Sequence, residues 1–331
     1  MAEFHVLLSD FIADDLAPER DVLKGVATVT GLDAHTQEEV IPYLDRVDAV
    51  ISYHLIHWDR AMLSRMPKCK VLARGGVGTD NVDLPVAREL GIPVVNVPDY
   101  GTEEVADSAI SLMLSLVRGT NLYNRKIQRG EGPWNHLHAK PLTRLRGKVF
   151  GIIGIGRIGT AAALRAKALG MDVVFYDPYV EDGTEKSLGI RRADSIEELV
   201  KQSFVVSPHC PLTKETEKII RAEVVALMPK GSYLINTSRG GVVDATCIPD
   251  AIRSGQLAGA GIDVLPLEPP PADHPLIAAW RDPQDPCYDR VIVTPHAAFY
   301  SEEGLTHIRV KTAEACRRAL TGQPLRNVVN R

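Results

Sequence analysis

The stretch KVFGIIGIGRIGTAAALRAKALGMDVVFYD, residues 148–177, constrains the fold more than any other part of the chain. Its apolar run 149–155 reads as a strand buried on both faces. The run ends in Gly154-Ile155-Gly156-Arg157-Ile158-Gly159, and an Ala-rich, helix-forming segment at 160–169 leads to a second apolar run at 173–176. Gly154 permits the tight turn, Gly156 lets a pyrophosphate approach the backbone, and Gly159 lets helix and strand pack closely. The helix N-terminus offers unpaired N–H groups and a positive dipole end to the phosphates. Asp177 stands about 20 residues beyond the glycines, where a carboxylate binds both ribose hydroxyls. Strand, turn, helix, second strand and acid stand in register, which marks a dinucleotide site. Asp177 would repel a 2′-phosphate, and Pro178, Tyr179, Val180 and Glu181 supply no cation to hold one, so NAD is favoured over NADP. Arg191 and Arg192 lie too far along the chain to be placed by sequence.

With 331 residues the chain is long enough for two domains with cores of their own. A net charge of −4 argues against a general nucleic-acid or membrane surface. No run approaches the roughly 20 apolar residues that span a bilayer. The opening MAEFHVLLSDF lacks a basic segment followed by an apolar one, so no signal peptide is expected. Cys69, Cys210, Cys247, Cys287 and Cys316 are scattered and odd in number, which suits a cytoplasmic protein without disulfide or zinc framework.

Residues up to about 100 alternate apolar runs (4–8, 26–29, 49–52, 71–73, 94–97) with helical stretches such as 36–44 and 83–90. This βα alternation predicts a parallel sheet with helices on both faces. Between two of these elements, Arg74-Gly75-Gly76-Val77-Gly78-Thr79-Asp80 reads either as a backbone nest for a carboxylate or as a plain turn. Pro98-Asp99-Tyr100-Gly101 is a breaker cluster and a natural hinge. One long helix is expected from Thr102 or Glu103 to about Ile127, and 130–141 reads as an irregular arm. His136 and His138 in that arm lack an evident third ligand, so no metal site is expected. After the glycine turn the alternation resumes, with strands at 204–207, 232–236, 261–264 and 291–293. Together these predict a doubly wound nucleotide domain.

Ligands of such sheets gather outside the carboxyl ends of the strands. Asn236-Thr237-Ser238-Arg239-Gly240-Gly241 closes one strand with an arginine, whose fork binds a carboxylate or polarises a carbonyl. Asp263-Val264-Leu265-Pro266-Leu267-Glu268-Pro269 follows the next with two carboxylates. Thr294-Pro295-His296-Ala297-Ala298 follows the last with a histidine, which moves a proton near neutral pH when a carboxylate orients it. Beside a nicotinamide, these groups are what reversible oxidation of an alcohol next to a carboxylate requires.

The chain resembles the D-isomer-specific 2-hydroxyacid dehydrogenases over essentially its whole length. The resemblance is carried by GGVGTDNVD (75–83), GTEEVAD (101–107), GIIGIGRIG (151–159), HCPLTKET (209–216), NTSRGGVVD (236–244), GIDVLPLEP (261–269) and TPHAA (294–298). It implies Arg239 holding the substrate's carboxylate and carbonyl, Glu268 paired with a catalytic His296, and amides of Val77 and Gly78 on the substrate carboxylate. It implies cofactor contacts at Thr102, Gly154, Gly156, Arg157, Ile158, Gly159, Asp177, His209, Pro211, Thr216, Thr237, Ser238 and Asp263. His209 then lines the nucleotide site and is not the acid–base. The implied architecture is two doubly wound parallel-sheet domains, a Rossmann nucleotide domain at 102–296 and a flavodoxin-like substrate domain of 1–101 plus 297–331, with the site in the cleft. A homodimer through the nucleotide domain is also implied.

Within the family the sequence looks most like the C-terminal-binding protein branch, through DYGTEEVAD (99–107), FYDPY (175–179) and PHAAFYSE (295–302). Two departures matter. That branch carries tryptophan after the PHAA stretch where this chain has Phe299, which implies a different acyl pocket. The proline-rich segment 269–289, with Trp280, is expected as a long loop, either a surface excursion or a cover over the cleft or dimer partner. His54, Tyr100 and Phe299 are the pocket candidates, together with Tyr53 and Leu55. An enzyme acting on a small D-2-hydroxyacid or 2-keto acid is the expectation, since the chain stops at Arg331 soon after its last helix. The alternative is an NAD(H)-responsive corepressor-like scaffold. Which acid is used, and whether Arg74, Arg118 or Arg281 meets a phosphate, is not legible in the residues.

Overall fold

A computed structural model describes residues 4–331. The apolar runs of the first hundred residues form Phe4–Leu8 (β1), Ala27–Gly31 (β2), Ala49–Ser52 (β3), Leu72–Arg74 (β4) and Val94–Asn96 (β5). They pair in the order β2-β1-β3-β4-β5, every pair parallel. Val50, Ile51, Leu72 and Ala73 are fully buried because helices cover both faces of the sheet. The C-terminal helix Glu302–Leu320 supplies one cover, packing Ile308, Ala313 and Cys316 with Val6, Leu8 and Ile51. It is tied to the helix Ala17–Leu23 by a buried arginine. Arg309 Nε donates to Glu19 at 2.7 Å and Arg309 Nη1 to Asp14 at 2.6 Å, with Glu19 entirely inaccessible. These charges, and the hydrogen bonds that satisfy them, raise Arg309's pKa and lower that of Asp14.

The second sheet has seven parallel strands: Val149–Ile153 (β6), Asp172–Tyr176 (β7), Arg191–Arg192 (β8), Val205–Pro208 (β9), Ser232–Asn236 (β10), Leu257–Ile262 (β11) and Val291–Val293 (β12). Their order is β12-β11-β10-β9-β6-β7-β8, so the chain reverses direction at β6. Both sheets are thus doubly wound α/β sheets. The chain divides into two compact units, residues through Gly101 with Ser301–Arg331, and Thr102–Tyr300. The second boundary falls after Tyr300 rather than before Ala297. The reason is local: Ala297 N and Ala298 N donate to the Asp263 carboxylate, and Ser108 Oγ donates to Ala298 O, all within the second unit.

Several elements differ from expectation. The long helix breaks into Thr102–Val117 and Thr120–Gln128, because Gly119 takes a left-handed φ of 64°. A Cβ there would stand 2.6 Å from Ala139 Cβ, so the break also lets the arm fold against the helix pair. Strand β11 starts at Leu257, four residues before the expected 261, within the run LAGAGI. Its glycines hide the apolar signal and let the helix Thr102–Val117 lie close, for a Cβ on Gly261 would meet Leu112 Cβ at 2.9 Å. The edge strand β8, two residues long, carries no pattern to read.

The largest correction is at 269–289. It holds two short helices, Pro275–Arg281 and Cys287–Arg290, and Leu276, Ile277, Ala279 and Cys287 are at most 4% exposed. Trp280 packs against the same core cluster as β10 and β11. The prolines favour a loop reading, but Pro275 opens the first helix and Pro286 caps the second, where no amide partner is lost. Leu276, Ile277, Ala279 and Cys287 belong to the core, while 271–273 and 281–284 stay exposed. Leu276→Ala should therefore lower unfolding free energy by about 2–5 kcal/mol in urea titration, the range for a cavity at a buried leucine; a change near zero would contradict the packing.

Candidate active site

In the second unit, the carboxyl end of β6 opens into the glycine turn. Gly154 has φ of +91°, and a Cβ there would approach Cys210 N at 3.0 Å. A Cβ on Gly159 would lie 2.1 Å from Gly154 O, which is why the helix Arg157–Ala168 can start hard against the strand. Beside Gly156 an added Cβ meets nothing within 4 Å, so the turn is open on that side. Asp177 closes β7; its Oδ2 accepts from Ile155 N at 3.0 Å and its Oδ1 from Tyr179 N at 2.9 Å. Arg192, unplaced by sequence, donates to Asp177 O at 3.0 Å and pairs with Asp182 at 3.2 Å.

The neighbouring strand ends carry two buried polar atoms that no described group satisfies, His209 Nδ1 after β9 and Thr237 Oγ1 after β10. Orphans of this kind call for a ligand or water. Together with the glycine cradle and the terminal acid they fit a dinucleotide. Burial lowers the pKa of His209 to about 4, so the ring is neutral at pH 7 and its Nε2 faces Ser207 Oγ at 3.0 Å. Thr216 Oγ1 donates to Pro211 O at 2.6 Å, which folds the 211–216 turn. Thr102 and Ile158 lie in the first turns of their helices, and Ser238 Oγ donates to Asn236 Oδ1 at 2.8 Å.

Arg239, Glu268 and His296 follow β10, β11 and β12, three adjacent strands. His296 Nδ1 and Glu268 Oε2 are 2.6 Å apart, and Glu268 Oε1 accepts from Leu265 N at 2.8 Å. The carboxylate is thereby fixed from both ends, and it orients the imidazole. His296 itself has φ of 54°, a costly backbone for a residue with a side chain. Asp263 holds it there: its carbonyl accepts from His296 N at 2.8 Å, and its carboxylate accepts from Thr294 Oγ1 and the amides of Ala297 and Ala298. Asp263, at 3% exposure, thus spends its carboxylate on the histidine turn, a use that its motif did not reveal. Phe299 stands edge-on to His296 with ring centroids 6.4 Å apart.

The arginine loop is brought to the glutamate loop by a glycine. A Cβ on Gly240 would fall 2.0 Å from the carbonyl carbon of Leu265, so the two backbones touch. Asn236 Nδ2 donates to Arg239 O at 3.1 Å, and Arg239 Nη1 donates to Ser238 O at 2.8 Å. Sequence reasoning passed over the contact of Gly240 with Leu265, and it read Asp263 as a cofactor contact and not as the anchor of the histidine turn.

The other candidates lie in the first unit. Val77 O accepts from Asn96 Nδ2 at 2.7 Å and Gly76 O from Val97 N at 3.0 Å, so β5 props the glycine loop that also contains Gly78. Arg74 is buried within that loop, donating to Gly75 O at 3.0 Å. Asp10, which sequence reasoning missed, accepts from Ser52 Oγ, Tyr53 N and Leu55 N and so shapes the loop that carries His54. His54 packs on Phe11 at 4.9 Å, and Tyr100 packs against the first unit's core. His138 of the arm contacts Pro133 O through Nε2 at 2.6 Å, and among the described residues no cluster of three His, Cys, Asp or Glu could hold a metal.

Residues 110–298 match the family described as D-isomer specific 2-hydroxyacid dehydrogenase, NAD binding domain, and the chain belongs to this family. Its nucleotide is accordingly NAD(H). The chain is 35% identical over 325 residues to D-3-phosphoglycerate dehydrogenase of Methanocaldococcus jannaschii, covering 98% of this chain and 59% of that protein. It is 34% identical over 330 residues to C-terminal-binding protein 1 of Caenorhabditis elegans, covering 96% and 44%. The chain thus spans about half the length of these curated relatives. A D-lactate dehydrogenase from Aquifex aeolicus, solved with NAD and lactic acid, superposes with a TM-score of 0.85 at 29% identity, covering 96% of each chain. Among the described residues no helix is long and apolar enough to cross a membrane.

Two outcomes test this geometry. Gly240→Ala should cost about 1–3 kcal/mol, as overpacking against a backbone does; an unchanged urea midpoint would show that the loops do not touch. His209 has its folded pKa depressed, from 6.5 to about 4. In that window the unfolded chain binds the extra proton, so stability is intact above pH 6.5 and is lost as pH falls toward 4. Relative to His209→Asn, the parent should lose on the order of 3 kcal/mol more across the window, measured by urea titration at each pH.

Proposed function

We propose that the chain is an NAD-dependent oxidoreductase interconverting a small D-2-hydroxyacid and its 2-keto acid. The observation that carries this reading is the His296–Glu268 pair at 2.6 Å, on strand ends adjacent to the one that bears Arg239 and in the same unit as the dinucleotide cradle. Bound NAD(H) accepts or supplies the hydride. With Nδ1–H given to Glu268, the other ring nitrogen of His296 takes the hydroxyl proton on oxidation and returns it on reduction. Glu268 keeps the ring in one tautomer and balances its charge while it holds the proton. Arg239 offers a planar fork to the carboxylate and the carbonyl oxygen, neutralising charge that builds on that oxygen. The Val77 and Gly78 amides are assigned to the substrate carboxylate. Thr102, Gly154, Gly156, Arg157, Ile158, Gly159, Asp177, His209, Pro211, Thr216, Thr237 and Ser238 are assigned to the nucleotide, while Asp263, whose carboxylate is taken up by the histidine turn, is assigned to positioning His296. Phe299, His54 and Tyr100 are assigned to the substrate's side chain.

The same reading includes a homodimer through the nucleotide unit, supported by the arm's Trp134 and Leu137, which are 86% and 52% exposed. It places the protein in the reducing cytoplasm, in keeping with five free cysteines. The test is NADH oxidation across 2-keto acids from glyoxylate to phenylpyruvate, with NADPH in parallel. One acid should turn over with NADH, and His296→Ala should slow it by about 100- to 10,000-fold while NADH binding stays nearly intact. Unchanged turnover in His296→Ala would remove the proton-transfer role. NADH binding without turnover of any acid would favour a nucleotide-responsive binding protein, the reading that similarity to C-terminal-binding protein 1 supports.

A further inference from the structure

The sheet order sets β6 between β9 and β7. The segments leaving β9 and β7 therefore rise on opposite sides of the glycine turn at the end of β6. Three residues past β7, Tyr179 donates its hydroxyl to the carboxylate of Glu215, which stands seven residues past β9. A side-chain bridge thus crosses from one flank of the turn to the other. Its feet are fixed. Tyr179 N is held by Asp177 Oδ1 at 2.9 Å. On the far side Thr213 N donates to Thr216 Oγ1 at 2.8 Å and Glu217 N to Thr213 O at 2.9 Å, which makes a closed turn around Glu215. The base of that segment touches the glycine turn, since a Cβ on Gly154 would meet Cys210 N at 3.0 Å. The span is not fixed in the same way. Tyr179 is 76% exposed, so water competes for its hydroxyl and the bridge can open without disturbing either foot.

Asp177, the acid for the adenosine ribose, lies at the root of the Tyr179 foot. The bridge therefore passes over the adenosine end of the nucleotide site and not over the strand ends that carry Arg239, Glu268 and His296. We propose that Tyr179 and Glu215 form a clasp across the adenosine end of the NAD site, one that opens to admit the nucleotide and opens again to release it. The clasp rests on the assignment of the glycine turn and Asp177 to NAD. In this proposal the clasp closes as firmly over bound nucleotide as over the empty site, so it slows entry and exit alike and leaves the equilibrium affinity almost unmoved.

Stopped-flow fluorescence of NADH with the full chain separates these quantities. Tyr179→Phe and Glu215→Gln should each raise the association and dissociation rates by about 3- to 10-fold, the factor to which one net hydrogen bond converts, with Kd within about twofold of the parent. The double variant should match the singles, because both remove the same bridge. Reduced nicotinamide mononucleotide, which lacks the adenosine, should exchange at parental rates in every variant. Parental NADH rates in both single variants would overturn the clasp, as would a weaker Kd with unchanged association, which would make the pair a wall. A parent chain that fails to bind NADH would instead remove the nucleotide assignment, and the clasp with it.

Discussion

A carboxylate buried just past the end of β11 holds the His296–Glu268 pair in place. Asp263 accepts from the hydroxyl of Thr294 and from two successive amides, Ala297 N and Ala298 N, while its own carbonyl takes His296 N. Those bonds stabilise a left-handed backbone at His296 that the residue would not adopt unaided. The strain belongs to the turn, and the turn aims the imidazole at Glu268. A strand end that satisfied its amides in water would leave the ring free to rotate. Here the burial of one acid converts a loop into a rigid mount, and the neighbouring contact of Gly240 with Leu265 brings the arginine loop alongside.

Both units use the same device. In the first, Asp10 gathers Ser52 Oγ, Tyr53 N and Leu55 N at the end of β1, and Asn81 Nδ2 donates to Tyr53 O and Ile56 O. The loops at the carboxyl ends of parallel strands cannot pair with each other as strands do, so short polar side chains tie them down. Each tie is a fully or nearly buried group whose partners are mostly backbone, which makes loop shape insensitive to what the exposed residues of the loop are.

The parallel sheets were legible because a strand buried on both faces must be a continuous apolar run, and such runs stand out at 4–8, 49–52, 149–153 and 232–236. The glycine turn was legible for the opposite reason: its residues are chosen by backbone conformation, and Gly154 and Gly159 admit no substitute. The pairing of His296 with Glu268 was implied by the family resemblance and not by spacing. What escaped was whatever depends on contacts distant in sequence. Gly119 breaks a helix whose local pattern continues past it, because Ala139 occupies the space beside it. The 269–289 segment reads as loop by its prolines, yet it sends Leu276 and Ile277 into the core because β10 and β11 present an apolar face to them. Arg192 lies beside Asp177 through a strand of two residues, too short to carry a period.

The return of the chain's last helix to the first sheet has a consequence for how the molecule is made. Residues Thr102–Tyr300 form a unit continuous in sequence, able to pack as soon as it leaves the ribosome. The sheet of residues 4–101 cannot do the same. It lacks the cover that Ile308, Ala313 and Cys316 provide, and Glu19 has no cation until Arg309 arrives 290 positions later. The first unit is therefore completed after the second, and until Arg309 has been made its apolar face is the one that a chaperone would have to shield.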